Sequence, residues 1–146
     1  MTRLGRLLRR LLPEPELIGT EEYPILHRWT IFDLAIGRLA IHHIQPGVRY
    51  RHFHDHGHFM LLACFSGWYY DERRGGKLDL ILPGSVRYRH PPHPHKIHPS
   101  PREGAWTICF QGPITRQEGF YVGEEWMPTE EYEASDHWPW TDGAED

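Results

Sequence analysis

The first apolar pattern along the chain has the period of an α-helix. Leucines stand at positions 4, 7, 8, 11 and 12, and arginines occupy the opposite face, which is the spacing of an amphipathic helix. Pro13 and Pro15 end the pattern, because proline has no amide proton to donate within a helix. We therefore predict a short N-terminal amphipathic helix in residues 1–15, with its leucine stripe packed on the domain or on a partner subunit. A helix lying on a membrane surface is the alternative.

After residue 25 the pattern changes to short apolar runs separated by turn residues. The runs are rich in Ile, Val, Leu and aromatic residues, which favour strands. The predicted strands are Ile25–Phe32, Leu34–Ile44, Val48–His56, Phe59–Ser66, Trp68–Asp71, Leu78–Leu82, Val86–Tyr88, Trp106–Gln111 and Phe120–Val122. Strands at this spacing predict an all-β sandwich or closed barrel in residues 16–128. An acidic C-terminal tail follows at 129–146.

The composition agrees with a single domain. The chain has 146 residues, 39% of them apolar and 25% charged, which allows a core of ordinary size. The 13 prolines and 14 glycines argue against a helix bundle. No apolar run approaches the roughly 20 residues that a membrane span needs. The two cysteines, Cys64 and Cys109, cannot form a disulfide framework, so we predict a reducing compartment and a cytoplasmic protein.

The charge distribution argues against nucleic-acid binding. The net charge is −4, and residues 124–146 hold nine acids and no Lys or Arg. The central body is nearly neutral. Phosphate contacts need clustered positive charge, so no nucleic-acid partner is expected.

Histidine is the unusual residue of this chain. Eight of the 12 histidines lie between His52 and His98. On one strand His52, His54 and His56 would share a face, and two imidazoles two residues apart can both reach one metal ion. A third ligand could come from the second cluster, between His90 and His98, which its prolines stiffen. Neutral imidazole is a common ligand for zinc, iron, nickel and copper.

The spacing of these residues resembles the two sequence motifs of the cupin superfamily. His54-x-His56, three residues, Met60, six residues and Gly67 match the first motif, and Gly84, ten residues and His95 match the second. The chain is most similar to compact single-domain cupins of bacteria and phages. The resemblance implies a cupin-type β-barrel or jelly roll with His54, His56 and His95 as metal ligands. Met60 replaces the usual Glu ligand, which implies a three-histidine site similar to those of cysteine-dioxygenase-like cupins.

The resemblance also implies a function. We expect a mononuclear non-haem Fe(II) dioxygenase that acts on a small, anionic molecule, with Zn, Ni or Mn as alternative metals. A metal-dependent isomerase, epimerase or lyase is the first alternative, and a non-enzymatic ligand- or metal-binding cupin is the second. Asp55 does not stand two residues after a histidine, which argues against a 2-oxoglutarate oxygenase. Hydrolase and zinc-peptidase signatures do not occur in the sequence. A homodimer is expected, as is common among cupins.

Further residues are candidates for contacts around the ion. His58, His93 and His52 are expected as additional ligands or as neighbours of the ligands. Tyr50 and Arg116 are expected to take part in catalysis. The residues expected to face the substrate are Met60, Cys64, Tyr88 and Trp106. Other arginines are interpreted mainly as solvated, with carboxylate or phosphate binding as the alternative; they are Arg49, Arg51, Arg87 and Arg89. His90 is expected near the ligands, facing the substrate or on the surface. The other histidines are expected to be ordinary strand or loop residues; they are His27, His42, His43, His98 and His137.

Overall fold

The computed structural model describes residues 3–137 and 141–142. Two short helices, α1 (Arg3–Leu11) and α2 (Thr129–Glu133), flank a body of strands. The strands in chain order are β1 (Glu16–Gly19), β2 (Pro24–Leu34), β3 (Gly37–Ile44), β4 (Arg49–Tyr50), β5 (Phe53–His54), β6 (Met60–Gly67), β7 (Tyr69–Arg73), β8 (Lys77–Ile81), β9 (Val86–Arg89), β10 (His95–Pro99), β11 (Ala105–Gln111), β12 (Gly119–Val122), β13 (Glu125–Pro128) and β14 (Thr141–Asp142).

The strands form two six-stranded antiparallel sheets. The first sheet has the order β1-β2-β3-β11-β6-β9, and the second has the order β13-β12-β5-β10-β7-β8. Strands β14 and β4 form a small separate pair. Within the described residues no strand pair joins the two large sheets into a closed barrel, so the predicted all-β architecture is a jelly roll rather than a hydrogen-bonded cylinder.

The chain repeatedly passes from one sheet to the other. Gly67 ends β6 in the first sheet, and after Trp68 the chain continues as β7 in the second. Gly67 has a φ of +72°, a conformation that L side chains rarely adopt. A Cβ at this position would also overlap the carbonyl oxygen of Gly104. The crossing between the sheets therefore requires glycine.

The buried apolar residues lie on the inner faces of both sheets. The core cluster joins residues from the first sheet to residues from the second; its members are Ile44, Met60, Leu62, Cys64, Tyr69, Ile81, Ala105 and Cys109. On the outer face of the first sheet Trp106 is buried, where its ring stacks 4.5 Å from the His43 ring and 5.3 Å from the Trp29 ring.

Two strand predictions were wrong near the histidines. The predicted strand Val48–His56 is broken into β4 and β5, with bends at residues 51 and 52. The proline-stiffened segment between His90 and His98 was not predicted to contain a strand, but residues 95–99 form β10. Pro99 closes β10 at its end, a position where a missing amide proton is tolerated. The short strands β1, β13 and β14 were also not predicted.

The predicted N-terminal helix is confirmed, but its leucine stripe is largely uncovered. Leu7 is 53% exposed and Leu11 is 71% exposed. The opposite face touches the body, where Arg9 Nη2 lies 3.1 Å from His27 Nδ1 and 3.0 Å from His43 Nδ1. The expected homodimer through this stripe stays a prediction. Neither described helix has the length and the run of apolar residues required to cross a bilayer.

The segment predicted as an acidic tail begins with an ordered, packed helix. Tyr132 of α2 is fully buried, and its ring stacks 4.0 Å from the Phe120 ring. Within that predicted tail, residues 138–140 and 143–146 lie outside the described residues.

We predict that Gly67→Ala destabilises the protein by about 3 kcal/mol, because it combines a left-handed backbone with overlap of the Gly104 carbonyl. Gly123→Ala is the matched control, since Gly123 has a φ of +64° but nothing within 4 Å of the position that a Cβ would occupy. The control should cost only about 1 kcal/mol. Urea denaturation measures both, and equal losses would contradict the assigned role of the Gly104 contact.

Candidate metal centre

His54 and His95 face each other across two neighbouring strands. The register of β5 and β10 pairs these two residues directly. Their ring centroids are 4.6 Å apart, and both side chains are buried. Directly opposed residues of an antiparallel pair project to the same face of the sheet, so the pairing alone brings two histidines from distant parts of the sequence together.

His56 joins this pair because the segment around it is fixed by backbone hydrogen bonds. The Asp55 amide donates to the Gly119 carbonyl (2.9 Å), and Asp55 Oδ1 accepts from the Gly119 amide (3.0 Å). The Gly57 carbonyl accepts from the Thr115 amide (2.8 Å). Between these two anchors the His56 ring turns toward the others, with its Nε2 3.1 Å from His95 Nε2.

The three rings fit a single metal ion. Each offers one nitrogen, and these nitrogens all lie within 4.8 Å of one another. Two nitrogens bound to one ion at roughly 2.1 Å are roughly 3.0 to 3.4 Å apart for angles between right and tetrahedral. The 3.1 Å between His56 and His95 lies in that range. His54 Nδ1 is also buried, with no hydrogen-bond partner among the described residues.

Burial keeps two of these imidazoles neutral, as metal binding requires. The pKa of His54 is lowered well below its ordinary value, mainly by burial and then by the charge of His95. The pKa of His56 is lowered in the same way, by burial first and then by the neighbouring histidines. Both rings therefore present lone pairs at neutral pH.

A buried acid and a buried arginine stand behind His95. Asp71 Oδ1 lies 2.9 Å from His95 Nδ1, and Asp71 Oδ2 accepts two hydrogen bonds from Arg89, one of them at 2.8 Å from Nε. All three side chains are at most 5% exposed. Burial alone would raise the pKa of Asp71, but the hydrogen bond and charge of His95 and the charge of Arg89 hold it below its ordinary range. The ionised Asp71 fixes the proton of His95 on Nδ1 and leaves Nε2 free for an ion.

Asp71 and Arg89 were not predicted as parts of the site. Arg89 was interpreted as solvated or as a substrate contact, and it is instead buried against Asp71. Alternation along β7 gave a weak indication that Asp71 points inward, because Asp71 lies two residues after the buried Tyr69 and projects to the same face. An acid at an inward position requires a partner.

The triad opens into a cavity of about 620 Å³ between the sheets. Met60 and Leu62 form an apolar part of its wall, as does Tyr50, whose ring stacks 5.1 Å from the His54 ring. Burial raises the pKa of Tyr50 far above its ordinary value, so its hydroxyl keeps the proton.

The three additional histidines occupy different surroundings. His58 lines the cavity, and its ring centroid is 5.6 Å from that of His56. His93 keeps a buried Nε2 without a partner in the described part of the chain, but it does not line the cavity. His52 points elsewhere, since its Nδ1 lies 2.8 Å from the Tyr132 hydroxyl. The bends at residues 51 and 52 explain why His52 does not share the face of His54.

The residues expected to face the substrate divide between the cavity and other surroundings. Met60 lines the cavity, whereas Cys64 lies in the core cluster. Tyr88 pairs with Leu61 on the outer face and is 57% exposed. Trp106 is also on the outer face, under the His43 ring. Successive side chains of a strand project to opposite faces of the sheet. Tyr88 and Trp106 occupy positions that alternate with the inward positions in register with Met60, so their side chains point outward.

Arg116 reaches the cavity but is already paired. Its Nη1 lies 2.8 Å from Asp55 Oδ2, close as an ion pair but without the alignment of a hydrogen bond. The guanidinium also lies 5.7 Å from the Trp126 ring. Arg116 is one third exposed at the rim of the cavity.

One acid near the triad was also missed. Glu118 lines the cavity, and its Oε2 lies 3.9 Å from His56 Nδ1. That distance is too long for a hydrogen bond. Burial raises the pKa of Glu118.

Comparison with known proteins supports the fold alone. No protein-family model matches the chain, and no curated protein sequence matches it. A cupin-like protein of Thermotoga maritima matches with a TM-score of 0.61 at 17% identity, over 85% of this chain and 95% of that one. The DMSP lyase DddQ of Ruegeria pomeroyi matches with a TM-score of 0.58 at 15% identity, over 74% of this chain and 57% of that one.

An oxalate decarboxylase of Bacillus subtilis also matches, with a TM-score of 0.52 at 16% identity, over 70% of this chain and 28% of that one. The chain thus spans little more than half of the lyase and under a third of the decarboxylase. These likenesses agree with the two-sheet topology. The protein has the cupin fold, with three histidines gathered at one cavity.

Proposed function

We propose that the protein is a metal-dependent oxygenase that converts a small molecule in the cavity between its sheets. Iron(II) is the proposed metal, and His54, His56 and His95 are its proposed ligands. The observation that carries the proposal is the convergence of three largely buried imidazoles on one point of the cavity wall.

The ligand set favours an oxygenase because it contains no acid. Met60 lines the cavity where the family places a Glu ligand, and a thioether is a poor ligand for iron(II). An ion held by three neutral imidazoles keeps its full charge and leaves positions for substrate. Iron(II) in such a site supplies dioxygen activation and polarisation of a substrate oxygen.

The protein's own residues would orient the ligands and exclude water. Asp71 holds His95 with Nδ1 protonated, and Arg89 holds Asp71 in turn. Tyr50 covers one face of His54 and, as a protonated hydroxyl, can donate a hydrogen bond to a substrate oxygen. Arg116 remains a proposed substrate contact at the rim, where an anionic substrate would compete with Asp55 for its guanidinium.

A metal-dependent isomerase or lyase is the second candidate. Such reactions move protons, and they need an acid or base beside the ion that is not a ligand. His58 meets this requirement, since it lines the cavity next to His56 and its Nε2 has no partner among the described residues. Oxygen dependence separates the two candidates.

We predict that His95→Ala abolishes stoichiometric metal binding, because it removes one of three ligands. His98→Ala is the control, since His98 lies on the same strand but forms a part-exposed pair with Glu72 (2.7 Å) outside the cluster. Metal analysis of protein purified without a histidine tag measures the effect. Equal metal content in the two variants would refute the ligand assignment.

We predict that Asp71→Asn weakens metal affinity about 10- to 100-fold, because an amide no longer fixes the His95 ring as a carboxylate does. Glu72→Gln is the matched control, since it alters the surface acid–histidine pair of the same two strands. Competition with a chelator gives both affinities. A Glu72→Gln effect as large as that of Asp71→Asn would contradict the role assigned to Asp71.

We predict that the iron(II)-loaded protein binds nitric oxide, a dioxygen surrogate, with a high-spin EPR signal that His95→Ala loses. Such a signal requires an open position at the ion, which a closed structural site lacks. Absence of this EPR signal from the iron-loaded protein in the presence of nitric oxide would argue against an oxygenase. Turnover by zinc-loaded protein without oxygen would favour the isomerase or lyase.

A further inference from the structure

A row of polar side chains crosses the inner face of the first sheet. Strand register places Arg28 beside His42 and His42 beside Thr107, on β2, β3 and β11. All three line the cavity. The neighbouring inward positions on the same strands are apolar or small, among them Ile44, Ala40, Ala105 and Cys109.

Two nitrogens of this row are buried without a hydrogen-bond partner among the described residues. They are Arg28 Nε and His42 Nε2. Arg28 Nη1 lies 3.4 Å from Glu16 Oε2, an acid that is more than half exposed. His42 is only 8% exposed. Buried polar groups are nearly always satisfied in folded proteins, and Arg28 Nε can only donate, so this nitrogen is available to an acceptor on a bound molecule.

Two arginines, Arg28 and Arg38, place positive charge close to His42. Burial lowers the pKa of His42 to about 3, and the charges that lower it further are those of Arg28, Arg38 and His58. His42 is therefore neutral and keeps one N–H. Burial also lowers the pKa of Arg28 against the pull of Glu16 and Glu118. The charge of Arg38, by contrast, is satisfied by Asp33, with bonds of 2.8 Å and 2.6 Å.

The row lies within reach of the histidine triad. His58, whose ring centroid is 5.6 Å from that of His56, lines the cavity together with Arg28 and His42. All these residues line the same cavity. One small molecule could therefore contact both places, with different groups.

We propose that Arg28 and His42 bind a carboxylate group of the substrate. A carboxylate offers two oxygens to the free donors, and it brings the negative charge that a weakly paired, largely buried arginine lacks. With the proposed function, on which this part rests, the reacting end of the substrate points to the triad. The substrate class is thus a small carboxylic acid.

The test uses propionate and propionamide as probes of the full-length protein, titrated by ligand-observed NMR in metal-free and zinc-loaded samples. Wild type should bind propionate at least tenfold more tightly than propionamide in both samples, since a charge-assisted hydrogen bond is lost with the amide. Arg28→Gln should remove this preference, and Arg28→Lys should keep part of it. Arg74→Gln is the control, because Arg74 pairs with Glu124 outside the cavity and should leave the preference unchanged.

Several results would overturn the proposal. Equal propionate affinity in wild type and Arg28→Gln would overturn it. A preference for propionate over propionamide that appears only in the zinc-loaded samples, and that Arg28→Gln does not change, would also overturn it. Tighter binding of inorganic phosphate than of propionate would show that the site prefers another oxyanion, and would overturn the assignment of a carboxylate. Thermal unfolding of each variant checks that it is folded. Arg28-dependent propionate binding by a protein that takes up no metal would uphold this inference and refute the proposed function.

Discussion

A buried charge pair between the two sheets is the interaction on which the histidine cluster depends. Arg89 belongs to β9 of the first sheet and Asp71 to β7 of the second, and each is almost completely removed from water. Loss of one member of such a pair leaves an uncompensated buried charge, which typically costs about 3 to 5 kcal/mol. Because Asp71 also holds His95, the packing of the sheets and the orientation of the His95 ring depend on the same carboxylate.

The spacing of the motifs predicted the fold and the clustering of His54, His56 and His95. Metal binding by these three residues stays a prediction. The spacings from His54 to His56 and from Gly84 to His95 are read from short stretches of sequence. His56 lies beyond the end of β5, and backbone hydrogen bonds of Asp55 and Gly57 place it. The strand β10 was missed because its sequence is flanked by prolines, which favour a loop when neighbouring strands are unknown. The pairing of His95 with His54 supplies the partner that the local pattern lacks.

Asp71 and Arg89 could not be predicted as partners from local pattern. They are 18 residues apart and lie on different sheets, so only the tertiary fold brings them together. Arg28 and His42 present the same difficulty. They are neighbours because of the register between two strands, which the local sequence pattern does not reveal. Tyr88 and Trp106 are a different case, because they were wrongly expected to face the substrate. Once the strand pairing is known, alternation counted from Met60 and Cys64 places both side chains on the outer face.

The division of the cavity between the sheets has a consequence for selectivity. His54 and His95 project from the second sheet, whereas Arg28 and His42 project from the first. The distance between the two sheets therefore limits the length of a molecule that can contact both walls of the cavity at once. Core side chains that line the cavity between these two walls, such as Leu62 and Tyr69, would then influence which length of molecule binds without contacting either of its ends.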